Sequence, residues 1–102
     1  MSYERIMALE IVNEEEYQKY RESMTPILQS FGGDFGFDFK VNKVLKSKTS
    51  DLINRVFTLD FPSKEIMNEF FTHSEYLAVK EKYFLNSVKS VTTISMHEKC
   101  TY

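Results

Sequence analysis

The sequence predicts a single α+β domain in which the elements follow the order strand, helix, strand, strand, helix, strand. Four segments alternate apolar and polar residues with the period of two that is typical of half-buried strands. Two other segments repeat apolar residues every three or four positions, as amphipathic helices do. The chain has 102 residues, of which 42% are hydrophobic, so we expect one folded domain over residues 1–102.

The first strand and the first helix occupy the first third of the chain. The strand is predicted over residues 5–12, with one apolar face formed by Met7, Leu9 and Ile11. Asn13 starts the helix, because its side chain can accept a hydrogen bond from the backbone N–H of Glu16. A single apolar stripe then runs through Tyr17, Tyr20, Met24, Ile27, Leu28 and Phe31. Gly32-Gly33 ends the helix, since glycine tolerates the left-handed conformation found there.

The second and third strands show the clearest alternation in the chain. In the second strand the apolar set is Phe35, Phe37, Phe39 and Val41, and the other set is Gly36, Asp38 and Lys40. The third strand, residues 52–61, has an apolar set of Phe57, Leu59 and Phe61 and a mixed set of Val56, Thr58 and Asp60. We expect the apolar sets to face the helices and the mixed sets to face away from them.

The last third of the chain holds a broken helix and the fourth strand. Ser63 can cap the helix, and residues 72–75 carry a second capping signal, which predicts a break there. The fourth strand is predicted over residues 88–97. Right-handed crossovers then give a ferredoxin-like βαββαβ fold, with an antiparallel sheet ordered 4-1-3-2, helices on one face and the second helix broken.

The mixed face of this sheet holds the candidate site. We expect the first and third strands to be central, adjacent and parallel, which makes Glu10 and Asp60 near neighbours. Two carboxylates shielded from water share a proton up to a higher pH, and histidine as a residue type ordinarily changes charge near neutral pH, so this face could support acid–base chemistry. The catalytic candidates are therefore Glu10, Asp60 and His97, and the ligand-binding candidates are Asp38, Lys40, Thr58 and Ser95. A half-solvated antiparallel sheet without any site has the same alternation.

Composition argues against several classes of function. With a net charge of −2 and an isoelectric point of about 5.7, the chain lacks the overall positive charge that supplies most of the affinity for nucleic acid. No apolar run approaches the roughly 20 residues of a membrane span, and the first residues lack a signal-peptide pattern, so we expect a cytoplasmic protein. Cys100 is the only cysteine, which excludes an internal disulfide and indicates a reduced thiol. We predict neither a metal nor a cofactor, because no ligand spacing or binding fingerprint is present.

A set of short motifs in fixed order identifies a family. The motifs are Tyr17-x-x-Tyr20-Arg21, Gly32-Gly33, Phe61-Pro62-Ser63-x-Glu65, Phe70-Phe71 and Glu75-Tyr76. Over residues 10–94 the chain thereby resembles the bacterial domain of unknown function family DUF1330. The resemblance implies a dimeric α/β barrel, in which two ferredoxin-like subunits set their sheets face to face. Relatives in that superfamily include cofactor-free monooxygenases, small isomerases and cyclases, and haem-binding proteins, so the resemblance implies no particular reaction.

Three functions remain open at this point. The first is the binding or transformation of a small organic molecule in a cavity between the sheets of a homodimer. The second is a dimeric accessory or interaction module without catalysis. The third is RNA binding, since RNA recognition motifs share this topology, but the phases above put Phe57 and Phe61 on the helix side rather than the open face.

Overall fold

The computed structural model describes residues 2–99 as a four-stranded antiparallel sheet with helices packed on one face. The strands are β1 (Ser2–Ile11), β2 (Asp34–Lys40), β3 (Arg55–Phe61) and β4 (Val88–Lys99). The helices are α1 (Glu14–Ser30), α2 (Lys64–Thr72) and α3 (Ser74–Val79), and a π-helical segment (Lys80–Phe84) continues α3. The strand order β2-β3-β1-β4 is the predicted order read from the opposite edge, so the predicted fold is confirmed. Cys100 lies outside the described residues.

Local signals fix the ends of the helices. The Asn13 side chain accepts a hydrogen bond from the N–H of Glu16 at 3.1 Å, as the capping signal predicts. The predicted break in the second helix is at His73, whose Nδ1 accepts from the N–H of Glu75 at 3.2 Å. Gly32 has a φ of +77°, the left-handed conformation that follows a helix end. No helix within residues 2–99 is both long and apolar enough to cross a bilayer.

The core lies between the sheet and the helices, and aromatic side chains dominate it. The predicted apolar faces of the first and third strands are buried, as are four residues of the α1 stripe: Tyr17, Tyr20, Met24 and Leu28. Phe57 and Phe61 belong to this core, which confirms their assignment to the helix side. Phe70 packs against Phe31, Phe61, Phe71 and Tyr76, with ring centroids 4.5–5.8 Å apart.

The predicted parallel pairing of the first and third strands is wrong. β1 and β3 are adjacent but antiparallel, with Glu4 opposite Asp60 and Leu9 opposite Arg55. The cause is the connection, because β3 follows β2 through a loop of residues 41–54 and returns between β2 and β1 in the reverse direction. Glu10 and Asp60 therefore lie near opposite ends of the sheet, about 20 Å apart along β1.

The predicted phase of the second strand holds for its first half only. Phe35 pairs with Leu59, but Asp38 pairs with Phe57, so three steps on β2 oppose two on β3. This bulge moves Phe37 and Phe39 to the open face, where their rings stack at 5.9 Å and are more than half exposed. The bulge also moves Asp38 and Lys40 to the helix side, so their assignment to the open face is wrong.

The fourth strand also carries an irregularity, and it lies between the pairs Ile6–Ser95 and Met7–Thr93. Ser95 and His97 stay opposite the open-face residues of β1, as predicted. Thr93 pairs with Met7 and therefore lies on the helix side. The open face is therefore defined by residues from all four strands, including Glu4, Asp60, Phe37, Phe39, Ser95 and His97.

Candidate functional site

A cavity of about 360 Å³ lies between the helix side of the sheet and the helices. All four strands contribute to its wall, together with α1, α2, α3 and the π-helical segment. Most of the lining is apolar or aromatic, and it includes Met7, Leu9, Met24, Phe35, Phe57, Leu59, Phe71, Phe84 and Val91. Within the described residues the polar lining consists of Arg5, Tyr17, Tyr20, Tyr76 and Lys80.

The π-helical segment contributes two of these lining residues, Lys80 and Phe84. A π-helical turn is wider than an α-helical turn and frequently occurs at functional sites. Here it sets the Phe84 ring against Tyr20, with ring centroids 4.8 Å apart. The sequence predicts that the broken helix continues through this segment, but not that its hydrogen bonds become π-helical, because a change from i→i+4 to i→i+5 bonds leaves no distinct apolar period.

Arg5 supplies a cation to the cavity wall. Arg5 alternates with Tyr3 and Met7 on β1, so its side chain points into the apolar side of the sheet. The guanidinium carbon lies 4.5 Å from the centre of the Phe71 ring. Its Nε is buried and has no hydrogen-bond partner among residues 2–99, and none of their carboxylates lies within salt-bridge distance. Burial lowers the pKa of Arg5, but an arginine remains cationic at neutral pH.

Two tyrosine hydroxyls form the second polar feature of the cavity. The hydroxyls of Tyr20 and Tyr76 lie 2.8 Å apart in a buried hydrogen bond. Burial raises the pKa of Tyr20 well above its ordinary value and also raises the pKa of Tyr76, so both hydroxyls stay protonated. One hydroxyl donates to the other, which leaves the proton of the accepting hydroxyl available for another acceptor.

The other two arginines differ from Arg5 because they share a carboxylate. Arg21 donates to Asp38 at 2.7 Å, and Arg55 donates to the same carboxylate through Nε at 2.8 Å. Burial alone would raise the pKa of Asp38, but these hydrogen bonds and charges lower it overall. Lys40 is exposed and lies opposite Arg55 on the same side of the sheet. Asp38 is thus part of a satisfied ion pair at the edge of α1 and not an open-face ligand.

A row of polar residues, four of them ionisable, crosses the open face at one end of the sheet. Successive strand pairs set Asp34 beside Asp60, Asp60 beside Glu4, and Glu4 beside His97. The His97 ring bridges two partners, with Nε2 at 2.9 Å from Glu4 Oε1 and Nδ1 at 2.7 Å from Ser95 Oγ. The ring therefore links a hydroxyl to a carboxylate. We call these five residues the acidic row.

Asp60 is the least satisfied member of the acidic row. Burial raises the pKa of Asp60, nearby Lys99 lowers it, and Glu4 raises it again, with a net upward shift. Within residues 2–99 its Oδ1 has no hydrogen-bond partner, and the Nζ of Lys99 is 3.9 Å away. The predicted carboxylate pair thus exists for Asp60, but its partner is Glu4 rather than Glu10.

The structure brings together only some of the predicted site residues. Asp60, His97, Ser95 and Thr58 share one end of the open face, where Thr58 Oγ1 accepts from the N–H of Phe37 at 2.8 Å. Glu10 is buried at the other end, where its Oε1 accepts from the N–H of Leu52 at 3.0 Å. No group of three His, Cys, Asp or Glu side chains in the described part of the chain is arranged to hold a metal ion.

The sequence prediction missed Arg5 and Glu4. The signal for Arg5 was present, because a charged residue stands in the apolar phase of the first strand, between Tyr3 and Met7. Glu4 could not be identified in the same way, since its importance depends on the direction of β3. In the predicted parallel pairing Asp60 lies beside Glu10, near the end of β1. In the observed antiparallel pairing it lies opposite Glu4, near the beginning of β1.

Comparison with known proteins identifies the family and the fold. A family model described as "Domain of unknown function (DUF1330)" matches residues 5–95. A protein of unknown function from Rhodopseudomonas palustris is similar in structure, with a TM-score of 0.83 and 14% identity over 99% of this chain and 84% of that chain. A dabb family protein with a ferredoxin-like fold from Mesorhizobium loti has a TM-score of 0.64 and 11% identity, covering 98% of each chain.

A third similar structure is described as dimeric. It is a protein of unknown function with a ferredoxin-like fold from Bacteroides fragilis, with a TM-score of 0.55 and 15% identity over 96% of each chain. No curated protein matches the sequence. At these identities the likeness establishes the fold of the chain and leaves its activity open.

Proposed function

The chain belongs to the DUF1330 family, and from that premise we propose that it is a cytoplasmic homodimer whose subunits each bind a small organic molecule in the cavity between sheet and helices. The observation that carries this proposal is the cavity itself. Its volume of about 360 Å³ lies within the range of small-molecule sites, and its lining combines a large apolar surface with a few polar groups. The proposed site thus lies inside each subunit, whereas the sequence predicts a site between the two sheets of the dimer.

A neutral fluorescent dye tests the cavity without assuming a charge on the ligand. N-phenyl-1-naphthylamine should bind and gain fluorescence. Val91 lines the cavity from β4 and is half exposed, so Val91→Trp should fill the entrance and weaken binding at least about tenfold. Ile94→Trp is the matched control, because Ile94 lies on the same strand, is equally exposed and is not part of the lining. Absence of dye binding to the parent protein would favour the interaction module.

A second copy of the chain is the proposed partner of the open face. The stacked rings of Phe37 and Phe39 are 61% and 57% exposed, and isolated domains rarely leave two adjacent aromatic rings in water. The dimeric description of the Bacteroides fragilis protein supports the same arrangement. Face-to-face sheets would enclose the acidic row between the subunits.

A second candidate function is acid–base chemistry at the acidic row. The observation that favours it is the chain of contacts from Ser95 through His97 to Glu4, beside the unsatisfied oxygen of Asp60. In this alternative His97→Gln removes ligand binding or turnover, while Val91→Trp leaves both unchanged. The proposed cavity site gives the opposite pattern, so the two variants distinguish the sites.

A further inference from the structure

We propose that the ligand of the cavity is a carboxylic acid with an apolar or aromatic body, and that Arg5 binds its carboxylate. This inference rests on the proposed function, because it names the class of molecule that the same cavity takes. The argument starts from the charge of the lining. Arg5 and Lys80 are cations, and among residues 2–99 no aspartate or glutamate lines the cavity.

Arg5 is a partly buried charge without a counter-ion in the described part of the chain. Arg21 and Arg55 demonstrate the usual arrangement in this protein, since both bond to Asp38. A buried charge is costly unless a charge or hydrogen-bond partner compensates it. The tyrosines near Arg5 cannot compensate it, because Tyr20 and Tyr76 keep their protons. An anionic ligand in the cavity supplies the missing charge.

The geometry of Arg5 suits a carboxylate. The guanidinium lies over the Phe71 ring, which restricts its orientation and leaves its edge free for hydrogen bonds. A planar guanidinium matches a carboxylate with two parallel hydrogen bonds. The accepting hydroxyl of the Tyr20–Tyr76 pair has a proton to donate and lies in the same wall. The carboxylate can therefore accept hydrogen bonds from the Arg5 guanidinium and from a tyrosine hydroxyl.

The rest of the wall defines the body of the ligand. Beyond the polar groups the lining consists of methionine, leucine, valine and phenylalanine side chains, which include Met24, Leu59 and Phe84. Such a surface favours an apolar or aromatic group and offers few partners to hydroxyl-rich molecules such as sugars. The class is thus an aryl or alkyl carboxylic acid of modest size.

Matched pairs of acids and alcohols test this inference. The pairs are benzoate and benzyl alcohol, phenylacetate and 2-phenylethanol, and 1-naphthoate and 1-naphthalenemethanol, titrated at neutral pH with the full chain and followed by protein-observed NMR. At least one acid should bind about tenfold or more tightly than its alcohol. Arg5→Gln should abolish this preference while keeping the affinity for the alcohol. Arg55→Gln, with the same change in net charge, should leave the preference unchanged.

The possible outcomes separate this inference from the proposed function. Equal affinity for acid and alcohol in the parent protein overturns the carboxylate inference and leaves the cavity site in place. Binding of neither class, together with no dye binding, overturns the proposed function itself. If Arg5→Gln does not fold, Arg5→Lys decides, because it keeps the charge and loses the paired hydrogen bonds. A preference for the acid that is undiminished in Arg5→Lys overturns the role of the guanidinium.

Discussion

Arg5 shows how one residue departs from the pattern of its strand. Its neighbours in phase, Tyr3 and Met7, are core residues, whereas Arg5 brings a charge to the same side of the sheet. Residues at binding sites commonly reduce the stability of the fold, because they are arranged for a ligand. The stability of an Arg5 variant therefore separates a binding role from a structural one.

We expect Arg5→Met to raise the free energy of unfolding by about 1–2 kcal/mol in the absence of ligand, since it removes a partly buried charge that has no carboxylate partner within residues 2–99 and keeps a long apolar side chain. Urea denaturation at pH 7 measures this change. Arg55→Met is the control and should lower the free energy, because it breaks a satisfied ion pair. A loss of stability in Arg5→Met would indicate that Arg5 is a structural residue.

Removing the charge of Asp38 should destabilise the fold, in contrast to removing the charge of Arg5. Its pKa is lower in the folded chain than its ordinary value, so its charge stabilises the fold above about pH 4, and this contribution is lost as the pH falls through the folded pKa. Asp38→Asn should cost about 1–2 kcal/mol at pH 7. The difference from the parent protein should shrink below about pH 4, as measured by urea denaturation at several pH values. A difference that is independent of pH would contradict this assignment.

The bulge in β2 is the element that the sequence pattern concealed. Strict alternation from Phe35 to Val41 predicted a regular strand, but three steps of β2 oppose two of β3. Gly36 is the residue that permits this, because a Cβ there would lie 2.5 Å from Thr58 Oγ1 and 3.0 Å from Asp60 Oδ2. The bulge carries Phe37 and Phe39 to the open face.

We expect Gly36→Ala to destabilise the fold by about 1–3 kcal/mol, since the added methyl group collides with Thr58. Thermal and urea denaturation measure the loss. The double variant Gly36→Ala, Thr58→Ala should recover part of it, because the second change removes the colliding oxygen. Additive losses in the double variant would show that the close approach to Thr58 is not the cause.

How much of the fold was predictable depends on the kind of signal. Caps and apolar stripes are local, so Asn13, His73 and the faces of β1 and β3 were predicted correctly. The bulge and the π-helical segment shift the register by one residue, and a period read from sequence cannot detect such a shift. The direction of β3 was predicted wrongly, and this error moved the partner of Asp60 from Glu4 to Glu10.

At the scale of the whole molecule, the two faces of the sheet carry different structural features. The helix side holds the core and the cavity, and the open face holds the acidic row and the stacked rings of β2. In the proposed dimer a second sheet covers the open face. The cavity and the interface then lie on opposite sides of the same strands, so a ligand need not compete with the partner.

We expect the parent protein to have the mass of two chains in light scattering. Phe37→Asp combined with Phe39→Asp should give monomers, because both charges would be buried by the second sheet. Leu85→Asp is the control, since Leu85 is equally exposed but follows the π-helical segment and is not on the sheet. A dimer that survives the double substitution would exclude this face as the interface.

The position of Asp60 on the open face makes the proposed dimerisation depend on pH. Burial already raises the pKa of Asp60 in the single chain, and a covering sheet adds to that burial. Subunit association then takes up protons, and the dimer becomes tighter as the pH falls from neutral towards the carboxyl range. Sedimentation equilibrium at several pH values should record this dependence, and Asp60→Asn should flatten it. The open face would thus couple the pairing of subunits to the acidity of their surroundings.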